Sequence, residues 1–267
     1  MEPPSQAKLP LTALVSSRNE APLLGACLDS IGFCDELVVI DIESNDDTAA
    51  VAEQHGARVV RHPYVPIAEA ARVTVAPQAR HDWLLVVDPD EEVPPALAAE
   101  VAAILPTLGD GVAAVDAPRQ YYFAGRPLRG TVWGGPNKRR LLVNRARVEL
   151  TPTIWGGMVI APGREVVALP FTDETAIVHR WARGYRELYS RHRRYLKLEP
   201  VDRAAAGEIT GWRAVLTMPW RCFHESYVTK HGYRDGVTGL ALSFFWAGFR
   251  TSSELALLRR LQRQRRA

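Results

Sequence analysis

The first hundred residues alternate short apolar runs with segments of helical spacing, and this alternation constrains the fold more than any other feature of the chain. Short runs rich in β-branched residues are typical of strands buried on both faces. A repeated strand–helix order predicts a parallel, doubly wound sheet with right-handed crossovers. We therefore expect an α/β protein with a Rossmann-like, mostly parallel sheet. The predicted strands are residues 11–17, 36–42, 58–61 and 83–87, and the predicted helices are 21–31, 48–55, 67–79 and 95–105.

The fourth apolar run ends in an acidic turn, Asp88-Pro89-Asp90-Glu91-Glu92. Proline cannot donate a hydrogen bond to a ladder, so the strand is expected to stop before it. Open α/β sheets bind ligands at the carboxyl ends of their strands. Asp88 and Asp90 could hold a divalent cation there, and the cation could neutralise a diphosphate. A solvated turn that leads into a helix would explain the same residues.

Composition and charge set the broad class of protein. The chain has 267 residues, which suffices for one large domain or for one domain with a small appendage. Its 47% hydrophobic and 24% charged content is ordinary for a soluble globular enzyme. The net charge of +3 is too small to indicate nucleic-acid binding. Three cysteines without metal-site spacing suggest a reduced compartment.

The sequence gives little indication of targeting to a membrane or for export. The first ten residues lack the apolar core of a signal peptide, and no apolar run has the length of a membrane-spanning helix. We therefore expect a cytoplasmic protein, with peripheral contact to the inner face of the plasma membrane as a further possibility.

From residue 181 onward the sequence becomes helical in spacing, basic and aromatic. Arginines and aromatic residues occur together at membrane interfaces, so this region could contact a membrane. A helical appendage that packs its aromatic residues inward would look the same. Such interleaving can also bind single-stranded nucleic acid, but the acidic first half and the lack of a nucleic-acid motif argue against it. We expect a catalytic domain over residues 9–180 and a helical region over 181–267.

Several stretches within about residues 11 to 250 carry ordered motifs: residues 15–20 (Val-Ser-Ser-Arg-Asn-Glu), 39–48, 83–91, 138–142 (Lys-Arg-Arg-Leu-Leu), His179 and 233–239. Together these stretches resemble the nucleotide-sugar glycosyltransferases of family 2, which have the GT-A fold. Within that family they are similar to bacterial enzymes that add a sugar to the lipopolysaccharide inner core. Two positions depart from the pattern, because Glu43 replaces a glycine and Pro89 replaces an alanine.

The resemblance implies a nucleotide pocket at the ends of the first two strands. Asp41 would accept a hydrogen bond from the base, and Glu20 would lie close to the same nucleoside. Guanidinium geometry matches phosphate oxygens, which makes Arg72 and Arg140 candidates for phosphate contact. Arg140 could equally be a surface charge on an edge strand. The expected donor-binding residues are Ser17, Asn19, Glu20, Asp41, Arg72, Asp88 and Arg140.

The resemblance also implies a metal cofactor, Mg²⁺ or Mn²⁺. Asp90 would coordinate the cation, and Asp88 would approach the cation or the ribose. The bound cation would stabilise the negative charge of the leaving diphosphate.

The catalytic base is harder to assign. Direct displacement with inversion needs a carboxylate that takes the proton of the acceptor hydroxyl. Relatives have a histidine–glutamate pair near the position of residues 155–157, where this chain has Trp-Gly-Gly. We expect the catalytic residues to be Asp90, Glu91 and Glu149. The other carboxylates that could act as the base are Glu92, Glu165, Asp173 and Glu174.

The leading expectation is an inverting, metal-dependent glycosyltransferase that acts on a glycan or lipid-linked acceptor. A sugar nucleotidyltransferase could use the same kind of sheet, but such enzymes usually open with a glycine-rich phosphate loop, and residues 16–21 contain no glycine. A third possibility is a nucleotide-sugar-binding protein that kept the fold and lost the base.

Overall fold

The computed structural model describes residues 8–135, 137–154 and 157–264, which form two compact units. The first unit comprises the residues up to 119 together with residues 138–179. The second comprises residues 120–137 and those from 180 onward.

The first unit begins with the alternation that the sequence predicts. Each predicted strand is present, and each predicted helix begins within one residue of its expected start. The elements are β1 (Leu9–Ser17), α1 (Ala21–Ser30), β2 (Cys34–Ile42), α2 (Thr48–Gln54), β3 (Arg58–His62), α3 (Ala68–Val75), β4 (Trp83–Val87), β5 (Glu91–Glu92) and α4 (Pro95–Ile104).

The pattern that follows α4 is mostly β-strand. Residues 112–118 and 120–123 each look like a strand in the sequence, and the structure joins them in one continuous strand. The further strands are β6 (Val112–Phe123), β7 (Arg126–Pro127), β8 (Asn137–Asn144), β9 (Val148–Leu150), β10 (Met158–Ile160), β11 (Glu165–Ala168) and β12 (Ile177–Ala182).

The main sheet has the strand order β3-β2-β1-β4-β8-β6-β12-β5, and β7 and β11 pair with β6. Strands β1 to β4 are mutually parallel, whereas β8 pairs antiparallel with β4. Strands β9 and β10 form a separate antiparallel hairpin. The α/β class and the mostly parallel sheet are thus confirmed.

Apolar layers on both faces of the sheet hold the first unit together. Leu14 and Ile40 belong to one layer, and Val15 and Val39 belong to the other. Each is fully buried, and burying a side chain of this size contributes about 1.5–3 kcal/mol. Because β1, β2 and β4 are parallel and in register, their carboxyl ends meet at one edge of the sheet.

The second unit is helical after β12. It contains α5 (Tyr185–Ala205), α6 (Trp212–Phe223), a π-helical segment (His224–Thr229), a 3₁₀ turn (Gly232–Asp235) and α7 (Gly236–Gln264). Its core includes Trp133, Trp181, Leu188 and Leu242. The predicted helical C-terminal region is confirmed, although Trp181 itself belongs to β12. In the described ranges, every helix is too short or too polar to cross a membrane.

Candidate functional site

The acidic turn lies directly after β4, at the carboxyl edge of the parallel strands. The backbone N–H of Glu91 donates to the Asp88 carbonyl over 2.9 Å, and the Asp88 N–H donates to Glu91 Oε2 over 3.0 Å. Glu91 and Glu92 form the short strand β5, in which Glu91 lies opposite His179 of β12. Backbone pairing therefore fixes the turn on both sides.

Three arginines surround this turn. Arg72 of α3 pairs with Asp88, and Arg139 of β8 places Nη2 3.2 Å from Asp88 Oδ2. The Arg139 Nε lies 2.7 Å from Glu91 Oε2, and Arg119 Nη1 lies 3.4 Å from Glu91 Oε1. The sequence analysis names Arg72 as a phosphate candidate, which stays a prediction; it includes Arg139 in a similar stretch without a role and does not mention Arg119.

The arginines change the acidity of Asp88. The surrounding protein desolvates the carboxylate and so acts to raise its pKa. The charges of Arg139 and Arg72, together with the hydrogen bond from Arg72, outweigh that effect and hold the pKa of Asp88 below its ordinary value. Asp88 is therefore an anion throughout the neutral range.

Asp90 and His179 form a second, buried pair. The imidazole Nε2 lies 3.3 Å from Asp90 Oδ2, and its Nδ1 lies 3.7 Å from Glu91 Oε1. A carboxylate oxygen next to an imidazole nitrogen is a donor set that suits Mn²⁺ and related divalent ions. The resemblance includes His179 but assigns it no role, whereas the structure places it against the acidic turn.

The loops after β1 and β2 are joined to each other. Ser17 lies opposite Asp41 in the parallel register. The Asn45 N–H donates to Asn19 Oδ1 over 2.8 Å, and the Asn19 N–H donates to Ser44 Oγ over 3.0 Å. The Asp41 carboxylate is almost fully buried and accepts from the Ser44 N–H over 3.0 Å.

Further hydrogen bonds and one unusual backbone angle complete this loop pair. The N–H of Glu20 donates to Thr48 Oγ1 over 3.2 Å, so residue 20 is tied to the start of α2. Asp46 accepts from the N–H groups of Ala21 and Thr48, a structural role for that carboxylate. Glu43 has a φ of 47°, which explains why relatives carry glycine at this position.

Some buried polar atoms at this edge are unsatisfied. Within the described part of the chain, Ser17 Oγ and Arg72 Nε have no hydrogen-bond partner. Buried polar groups normally find one. These atoms are available to a polar ligand, and the donor contact expected for both residues stays a prediction.

Arg140 lies apart from the acidic turn. Its Nε is 3.1 Å from Asp116 Oδ1, while the neighbouring Arg139 contacts Asp88 and Glu91. Successive residues of a strand point to opposite faces, so only one of the two arginines can reach the turn. The phosphate role expected for Arg140 stays a prediction.

The carboxylates around the β9–β10 hairpin differ in position. Glu149 is exposed on β9, between the core-facing Val148 and Leu150. Residues 155 and 156 lie outside the described residues. The Cγ of Glu69, in the first turn of α3, lies 2.9 Å from where a Cβ atom on Gly157 would be. The sequence analysis did not single out Glu69.

No group of three or more His, Cys, Asp or Glu side chains in the described ranges is arranged as a metal site. The Asp90–His179 pair is the arrangement that comes closest to the expected cofactor chemistry. Further ligands would have to come from Asp88, from solvent or from the donor itself.

Comparison with known proteins identifies the class. The model of the family "Glycosyl transferase family 2" matches residues 12–161, more than half of the chain. The chain belongs to this family.

Among curated proteins, an uncharacterized glycosyltransferase of Rickettsia felis is 35% identical over 101 residues, which cover 35% of this chain and 33% of that protein. The lipopolysaccharide core biosynthesis glycosyltransferase LpsC of Rhizobium meliloti is 28% identical over 156 residues, 57% of this chain and 58% of LpsC. The chain thus spans between a third and three-fifths of the length of these two relatives.

Among solved structures, glucosyl-3-phosphoglycerate synthase from Mycobacterium tuberculosis is similar in fold. Its complex with phosphoglyceric acid has a TM-score of 0.50 at 18% identity and covers 78% of this chain and 82% of that one. Its complex with Mg²⁺ and uridine diphosphate has the same TM-score at 17% identity. The shared fold is GT-A, as the resemblance implies.

Proposed function

We propose that this chain transfers a sugar from a nucleotide-sugar donor to a hydroxyl group of a glycan or lipid-linked acceptor. The proposal is supported by membership of family 2 together with the position of three carboxylates. Asp41 is the next-to-last residue of β2, and Asp88 and Asp90 follow β4, at one edge of the parallel strands. A binding site for a nucleotide diphosphate at this edge agrees with the general behaviour of open α/β sheets.

The proposed cofactor is Mg²⁺ or Mn²⁺. Asp90 and His179, 3.3 Å apart, are the proposed protein ligands, and Asp88 remains the second carboxylate expected from the sequence. A bound cation would neutralise the charge of the departing diphosphate. The mycobacterial synthase was solved with Mg²⁺ and uridine diphosphate, which makes uridine nucleotides the first to test.

Arg72 and Arg139 are the proposed phosphate contacts. In the structure both pair with Asp88, which aligns their guanidinium groups beside the turn. Phosphate oxygens accept charge-assisted hydrogen bonds from arginine in the same geometry as carboxylates. Glu91 is fully buried and contacts Arg119, Arg139 and His179, which favours a positioning role for the catalytic residue expected there.

The proposed base is Glu69. Helix α3 begins shortly after β3, which is parallel to β1 and β2, so its first turn lies at the same edge as Asp88. Arg72, one helical turn further on, contacts Asp88 and supports this placement. The Glu69 side chain also lies beside Gly157, near the position where the resemblance implies a carboxylate.

In the proposed reaction, the acceptor oxygen attacks the anomeric carbon from the side opposite the diphosphate. The new glycosidic bond forms as the bond to the diphosphate oxygen breaks, and the acceptor proton passes to Glu69. One displacement inverts the anomeric configuration. The acceptor class rests on the name of LpsC, which acts in lipopolysaccharide core biosynthesis.

Paired variants test the base. Glu69→Gln should lower kcat for transfer roughly 10²- to 10⁴-fold while the Kd for nucleoside diphosphate stays within about twofold. Glu149→Gln, which changes an exposed glutamate of β9, is the matched control and should retain activity. If Glu149→Gln loses the activity and Glu69→Gln keeps it, Glu149 is the base and this assignment is wrong.

A further inference from the structure

The second unit carries an exposed apolar face on helix α6. Trp212, Leu216 and Trp220 are 58%, 76% and 71% exposed, and Ile209, just before the helix, is 83% exposed. The three helical residues follow at intervals of four, so they lie on one side of the helix. Soluble monomers rarely expose a contiguous patch of this kind without an interaction for it.

The opposite side of α6 already supplies the packing of the helix. Val215 and Cys222 are buried, and Met218 is half-buried. The exposed face is therefore not needed for the core of the second unit. Changing it should leave the fold intact.

The charged residues of α6 itself are basic, and of the glutamates that flank the helix, Glu208 is paired with Arg203 while Glu225 is exposed after its end. Arg213 and Arg221 are exposed on α6, and the helix contains no acidic residue. A surface cavity of about 970 Å³ is lined by Ile209, Leu216 and Trp220 together with both arginines. Apolar lining next to guanidinium groups complements a molecule with an acyl chain and an anionic head.

Aromatic contacts extend the face beyond α6. The ring of Phe223 stacks on Tyr227 at 5.4 Å and packs against Phe244 of α7 at 4.7 Å. Phe244 is itself 62% exposed. The apolar surface thus continues from α6 to the neighbouring helix of the same unit.

We infer that α6 docks on an anionic lipid bilayer, with Trp212, Leu216 and Trp220 in the boundary between headgroups and acyl chains. An amphipathic helix with tryptophans on one face and arginines beside them lies in the plane of such an interface. Anionic lipids attract the arginines. Symmetric pairing of two copies through this face would bring the arginines of one α6 towards those of the other, which disfavours a second copy as the partner.

Vesicle sedimentation with the full chain tests this inference. We expect binding to vesicles of phosphatidylcholine with phosphatidylglycerol, weaker binding to phosphatidylcholine alone, and release by high salt. The double variant Trp212→Ser, Trp220→Ser should lose at least about tenfold in affinity. Arg213→Gln with Arg221→Gln should lose the preference for anionic vesicles. Tyr189→Ser, which removes an aromatic residue 64% exposed on α5, is the control and should bind like the wild type.

Several results would overturn the inference. One is the absence of wild-type binding to anionic vesicles, and another is equal vesicle binding by the wild type and the double tryptophan variant. A third is a wild type that is dimeric in analytical ultracentrifugation together with a double tryptophan variant that is monomeric. Circular dichroism confirms that each variant is folded. Vesicle binding requires no turnover, so its failure is distinguishable from a failure of the proposed glycosyl transfer.

Discussion

Arg139 Nη2 lies 3.2 Å from Asp88 Oδ2, so an arginine of β8 contacts the first carboxylate of the turn that follows β4. The same guanidinium also contacts Glu91. The turn is thus a network of opposite charges, in which the arginines that could meet a diphosphate are already held by carboxylates. In our proposal, the donor phosphates take over part of this contact when they bind.

Adjacent arginines of β8 allow a matched test of this network. Arg139→Gln should weaken nucleoside diphosphate binding by about tenfold or more, because it removes a phosphate contact. It should also destabilise the first unit, since Glu91 would lose a buried partner. Arg140→Gln changes only a contact with Asp116 and should shift the Kd less than about threefold. Calorimetric titration of both variants with nucleoside diphosphate measures the two Kd values. A larger loss of affinity for Arg140→Gln would place the phosphate on the other face of the strand.

The metal assignment makes its own prediction. Asp90→Asn and His179→Gln should each weaken Mn²⁺ binding by at least about tenfold, because each removes a proposed ligand. Electron paramagnetic resonance of Mn²⁺ with uridine diphosphate and protein measures this directly, without turnover. Asp47→Asn, an exposed residue before α2, serves as the control. Unchanged Mn²⁺ binding in both variants would exclude this pair as the metal site.

His192 predicts a pH dependence of stability in the second unit. It is buried among Trp133, Trp181 and Phe245, and burial lowers its pKa from 6.5 to about 4, with a smaller contribution from Arg191. The folded state therefore favours the neutral ring. The contribution to stability is complete above pH 6.5 and is lost as the pH falls towards 4.

The full effect is about 3 kcal/mol. Denaturant unfolding at pH 7 and pH 4.5 measures it against His192→Phe, which keeps an aromatic ring and cannot titrate. The wild type should lose more stability than this variant on acidification. Equal losses in the two proteins would show that His192 does not titrate as proposed.

Arg203 offers a comparison between a buried and an exposed partner. It contacts Glu254 of α7 and Glu208, each at 2.9 Å, and the two carboxylates differ in exposure, 5% against 48%. Removing a buried partner leaves an uncompensated charge, so Glu254→Gln should cost about 3 kcal/mol. Glu208→Gln should cost less than about 1 kcal/mol. Similar losses in the free energy of unfolding for the two variants would mean that burial of the carboxylate does not determine how much each contact contributes.

Periodicity made the first half of the fold predictable. Strands buried on both faces are continuous apolar runs, and Pro89 marks the end of β4, so the sheet and its acidic edge follow from the sequence alone. The short strand β5 does not follow from the sequence, because it depends on pairing between Glu91 and His179, which are distant in the chain.

The partners of the acidic turn were less predictable for a similar reason. Arg139 and Arg140 are identical in type, and only the register of β8 against β4 decides which of them reaches Asp88. Glu69 could have been noticed, because the first turn of a helix that follows a parallel strand lies at the carboxyl edge of the sheet. Its closeness to Gly157 required the structure.

The central claim is that the chain uses a divalent metal to cleave nucleotide sugars. The most direct measurement is release of nucleoside diphosphate from a panel of nucleotide sugars by the purified protein, with Mn²⁺ or with a chelator. We predict Mn²⁺-dependent release from at least one donor, and its loss in a folded Asp90→Ala variant. No release and no metal-dependent nucleotide binding with any donor would contradict the claim, and full activity of Asp90→Ala would refute the metal assignment.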